Sequence, residues 1–102
     1  MSLISPMQGG GQNPPRHPRY VEGYLGRLEQ LAVNIGNMQY DLVADFLQYL
    51  SEDLLRQAEG DKEKGRDKLY KALMESVTYL ESAVEELRGA WNISEPYMQP
   101  IS

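Results

Sequence analysis

Between Asp67 and Trp91 the apolar residues of this chain return every three or four positions without a break. Leu69, Leu73, Ser76, Leu80, Ala83, Leu87 and Ala90 follow alternating steps of four and three. At about 100° per residue that heptad spacing draws one stripe along an α-helix. Tyr70, Met74, Val77, Val84 and Trp91 lie beside the stripe and widen it to roughly half the circumference, more than one neighbouring helix covers. Lys71, Glu75, Thr78, Ser82, Glu85 and Glu86 take the outer face. The pattern excludes a strand, whose side chains alternate every second residue, and predicts a long helix touched on two sides.

Two further helices precede it. Val43, Phe46, Leu47, Leu50, Leu54 and Ala58 form the central stripe of a helix expected from about Met38 to Glu59. Tyr40, Leu42, Tyr49 and Leu55 flank that stripe, and Asp41, Asp45, Gln48 and Glu52 line the opposite side. Gly60 is read as its end, and the charged run Asp61 to Arg66 as a solvated connection between antiparallel helices. The first helix is expected from Pro18, with Tyr20, Val21, Tyr24, Leu25, Leu28, Leu31, Ala32 and Ile35 on one face. Gly23 and Gly26 each cost roughly 1 kcal/mol against alanine there, so this helix is the weakest of the three. Gly36-Asn37 predicts a tight turn, Gly closing one helix and Asn capping the next; a kinked continuous helix is the alternative.

The ends read differently. Residues 1 to about 17 are rich in Pro, Gly and Gln without hydrophobic period, the composition of a flexible arm. Pro96 and Pro100 break the helical pattern, so residues 93–102 are expected to form an extended tail, with residues 18–92 as the helical domain.

At 102 residues the chain has room for one core, and without cysteine it has no disulfide staple to supplement that core. The net charge of −5 disfavours general phosphate binding and docking on anionic lipid. Neither a secretory leader pattern nor an apolar run near the ~20 residues of a membrane span is read, so the expected location is cytoplasmic.

Chemistry-bearing patterns are weak. Asp41, Asp45, Gln48 and Glu52 share a helix side, but helical di-metal sites use inward Glu-x-x-His pairs and the only histidine, His17, sits among prolines. Glu52-Asp53 and Glu85-Glu86 are neighbours that point about 100° apart and cannot share a substrate atom. Gly9-Gly10-Gly11 lacks the Gly-Lys-Ser/Thr ending of a phosphate loop. Asn92-Ile93-Ser94 matches a glycosylation triplet that is silent without secretion. Arg16, His17 and Arg19 make a small basic cluster best read as solvated. Seven tyrosines against one phenylalanine and one tryptophan suit the borders of packed faces, where the ring is buried and the hydroxyl stays wet.

The sequence therefore predicts an all-α, three-helix antiparallel arrangement with a long hairpin of helices two and three, dimerising into a bundle. Its expected role is that of a self-associating protein-interaction or regulatory adaptor, with no catalytic or metal site, no cofactor, and neither nucleic acid nor membrane as partner. A helical bundle holding a small molecule or cofactor in an internal pocket is the alternative. The interface is expected on Tyr70, Met74, Val77, Leu80, Val84, Leu87 and Trp91, with the 69/73/76/80/83/87/90 stripe turned to helix two.

Overall fold

The structure, a computed structural model, describes residues 17–97; the expected arm as far as residue 16, and residues 98–102 of the expected tail, lie outside it. The described residues are all-α: α1 (Leu28–Gly36), α2 (Tyr40–Glu63), α3 (Asp67–Ser94) and a closing 3-10 turn, Glu95–Tyr97. The chain divides into two compact units at Ala32–Val33.

In the first unit the helix begins ten residues later than its apolar spacing predicts. Residues 17–27 form bends and a turn, in which the Tyr24 N–H donates to the Val21 carbonyl at 3.1 Å. Gly23 takes φ +84°, a left-handed conformation no helix contains. The Tyr24 ring folds back over Gly26, into space that a side chain there would fill. The first helical turn then closes on a local cap, the Gln30 amide oxygen accepting the Arg27 N–H at 3.1 Å, as the third residue of a capping box does. Two glycines within the four residues before this cap, Gly23 and Gly26, outweigh the stripe, because apolar spacing stabilises a helix only where it is packed. No residue of α1 is buried.

The second unit is dominated by the α2–α3 hairpin. Gln39, not Asn37, precedes the first residue of α2 and its backbone carbonyl accepts from Leu42 and Val43. Asp41, in the first turn, accepts the Leu42 N–H at 2.9 Å and sits favourably at the positive end of the helix dipole. Gly36 does not adopt positive φ, so the turn after α1 is closed by backbone bonds from Asn37 to Val33 and from Met38 to Ile35.

α2 runs straight through Gly60, the expected stop, to Glu63, and the chain leaves the helix at Gly65 with φ +77°. There the Arg66 N–H reaches the Asp61 carbonyl at 2.8 Å and the Gly65 N–H the Lys62 carbonyl at 3.0 Å, the paired bonds of a Schellman ending. The Arg66 side chain returns to the Asp61 carboxylate at 3.1 Å, and the Lys62 ammonium lies 5.3 Å from the Tyr70 ring centre. Three of the six residues in the charged run, Asp61, Lys62 and Arg66, thus bind the hairpin turn together. α3 then continues to Ser94, and Glu95–Tyr97 coil as a 3-10 turn where an extended tail was expected.

Candidate interaction face

The buried side chains of the hairpin are few and regularly placed. On α2 they are Ala44, Ser51 and Ala58, and on α3 Val77 and Val84. Each set steps by seven, and on α3 the half-buried Tyr70 and Trp91 extend the same series at both ends. A seven-residue repeat of buried positions on two antiparallel helices marks the seam between them. Small residues on α2 let the two backbones approach, and the valines of α3 fill the gaps between them. The Ser51 hydroxyl is satisfied inside its own helix, donating to the Gln48 carbonyl at 2.8 Å.

This seam reassigns the expected faces. Val77 and Val84, expected in an intermolecular interface with Tyr70, Met74, Leu80, Leu87 and Trp91, are 2% and 4% exposed within the single chain. Tyr70, Met74, Leu80, Leu87 and Trp91 are half-buried. The stripe expected to face α2 is the more open one: Leu69 is 46% exposed, Ser76 is exposed, and Ala83 and Ala90 are only half-buried. The two stripes differ by one residue's rotation and share Leu80 and Leu87, which border both sides.

The hairpin therefore has two unlike sides. Turning from the seam in the same sequence sense leads to the same side on both helices, because the helices run antiparallel. One side is mainly polar: Asp41, Asp45, Gln48, Glu52 and Glu59 of α2 with Thr78, Glu85 and Arg88 of α3, and the half-buried Leu55 and Met74 next to the seam. Arg88 and Asp45 pair across it at 3.2 Å, while Gln48 donates to Glu52 at 2.9 Å. The other side is apolar. On α2 it carries Val43, Phe46, Leu50 and Leu54, with Phe46 39% and Leu50 38% exposed. On α3 it carries the leucines and small residues of the 69-to-90 stripe.

The carboxylates that a metal might have gathered are otherwise engaged, and no group of three or more metal-ligating side chains forms among the described residues. The hydroxyls of Ser51, Ser76, Thr78 and Ser94 all donate to carbonyls of their own helix, so none of these four is aligned with a base. The Asp53 carboxyl is held below its usual value of 3.8. The hydrogen bond from Gln57 is the largest cause, followed by that from Arg56. It lies on the exposed surface and pairs within its own helix. Among the described residues no helix is long and apolar enough to cross a membrane.

The fold and the open face together define a class, an all-α protein built on an amphipathic helical hairpin. Compared with known families, curated proteins and solved structures, the chain matches no family model, no protein and no structure. Phe46, Leu50 and Leu69 are the face residues that the stripe analysis assigned to a core. The signal that could have freed them is the seven-residue spacing of Ala44, Ser51 and Ala58, a run of small residues too regular to be filler.

Proposed function

We propose that this protein is a small self-associating interaction module, acting through the apolar side of its α2–α3 hairpin rather than through catalysis. The observation that carries the reading is the open apolar side itself. Phe46, Leu50 and Leu69 stand more than a third exposed beside half-buried Leu73, Leu80 and Leu87, on a hairpin whose other side is ion-paired and polar. Contiguous apolar surface over two helices is uncommon on a chain that works alone, and it is the ordinary mark of a protein–protein contact. The acidic balance of the chain and the self-bonded hydroxyls supply neither a phosphate-binding surface nor an activated nucleophile in support of other readings.

Light scattering at micromolar concentration tests this directly. The expected mass is twice the 11.6 kDa of one chain; a mass of one chain throughout the concentration range overturns self-association.

A further inference from the structure

We propose that two copies stack open side to open side about a two-fold axis parallel to the helices, so that α2 of each copy lies along α3 of the other. This rests on the self-association proposed above and specifies its geometry.

The register of the hairpin selects the arrangement. The Asp45–Arg88 pair fixes the level of α2 against α3 near one end, and Lys62 over Tyr70 fixes it within about a residue near the other. Counting equal steps in opposite directions from Asp45 and Arg88 brings Val43 level with Ala90, Leu50 with Ala83 and Gln57 with Ser76. All six lie about a quarter to a third of a turn from the seam, on the apolar side. At these matching heights the open side thus presents the larger Val43, Leu50 and Gln57 of α2 as a ridge beside the small Ala90, Ala83 and Ser76 of α3 as a trough, with Leu69 beyond its end and Leu73, Leu80 and Leu87 along its seam-side wall.

Two two-fold axes bring such sides together. An axis along the helices preserves height and exchanges α2 for α3, so Leu50 meets Ala83 of the second copy and Val43 meets its Ala90. Gln57 then meets Ser76, polar against polar. An axis across the helices instead places α2 on α2 and α3 on α3, ridge against ridge and trough against trough. Interior packing tolerates neither the overlap nor the void. Both arrangements keep neighbouring helices antiparallel, so helix dipoles do not choose between them; side-chain size does.

The size of the side also suits a second copy. Twenty-four residues of α2 span about 36 Å and two adjacent helices about 20 Å, roughly 700 Å² in projection. That is close to the roughly 800 Å² per partner of a stable interface. The pairing is isologous and closes at two chains, leaving no apolar ridge free to propagate.

The absence of cysteine makes a clean test possible. Chains carrying L50C and chains carrying A83C, distinguished by tags of different length, are mixed and oxidised, with helicity checked by circular dichroism. The expected result is a several-fold excess of the mixed disulfide dimer over either like-with-like dimer. V43C with A90C is the second pair should the first perturb folding. Excess L50C–L50C dimer overturns the arrangement in favour of the crossed axis, and equal yields of all three products overturn any fixed mating. In both cases self-association stands. A one-chain mass for the mixture before oxidation overturns self-association with it.

Discussion

The Arg88 guanidinium lies 3.2 Å from the Asp45 carboxylate, joining the last third of α3 to the first third of α2 across the polar side of the hairpin. Among the described residues the other two ion pairs are local, Arg56 with Asp53 one turn apart and Arg66 with Asp61 around the hairpin turn. Both partners of the long-range pair are more than two-fifths exposed, so it fixes register more than it stabilises. A double-mutant cycle of Asp45→Ala and Arg88→Ala is expected to give a coupling of about 0.2–1 kcal/mol that fades in molar salt. A coupling of several kcal/mol would mean the pair is far less solvated than this.

Gly60 and Gly65 lie five residues apart and are expected to respond oppositely to alanine. A Cβ at Gly60 meets nothing within 4 Å inside a regular helix, whereas Gly65 sits at φ +77°. Gly60→Ala should stabilise by about 0.5–1 kcal/mol and Gly65→Ala destabilise by about 1–2 kcal/mol. Denaturant midpoints of the two variants, compared at one protein concentration, decide it. If both shift the same way, α2 does not end where the Schellman bonds place its end.

The seam predicts a contrast between deletion and crowding. Val84→Ala removes two buried methyl groups and should cost about 2 kcal/mol. Ser51→Leu puts a branched side chain where the backbones approach and should cost at least about 1–3 kcal/mol. Leu69→Ala, on the open stripe, should leave the stability of the hairpin nearly unchanged. Thermal unfolding reads all three; a larger loss at Leu69 than at Val84 would restore the stripe expected from sequence.

Asp53 offers a pH-dependent check. Its carboxyl is held below 3.8 first by Gln57 at 2.9 Å and then by the Arg56 guanidinium at 2.9–3.0 Å. A depressed carboxyl contributes stability above its unfolded value and loses it as pH falls through the folded value. The contribution therefore disappears only in acid, below pH 3.8, and for so exposed a group it is small. An NMR titration should place the Asp53 midpoint below 3.8, and Gln57→Ala should raise it. An unmoved midpoint would remove Gln57 as the main cause.

How much of this was legible in the sequence depends on where a stripe is ambiguous. The existence of α2 and α3 and their antiparallel connection follow from apolar spacing and the charged run, and the start of α3 at Asp67 was readable directly. The sidedness was not. Leu80 and Leu87 belong equally to the 69-to-90 stripe and to the 70-to-91 stripe, and on α2 the large side chains make a stronger apolar pattern than Ala44, Ser51 and Ala58. Closest approach between helices selects small residues and leaves bulky ones at the margin. Phe46 and Leu50 thus look like core in a one-dimensional reading and stand at the edge of an open side in three dimensions. The end of α2 was missed for a related reason. Both Gly60 and Gly65 are glycines after the last apolar residue, and only backbone bonding distinguishes a tolerated interior glycine from the left-handed one.

The account turns on the apolar side being the surface of self-association, and sedimentation velocity on the wild type beside Leu50→Glu tests that most directly. Leu50 lies outside the buried seam, so the variant should keep its helical circular dichroism while a charge on the open side prevents its burial. The account predicts a two-chain mass for the wild type and a one-chain mass for the folded variant. A folded variant that sediments as two chains, or a wild type that sediments as one, contradicts it.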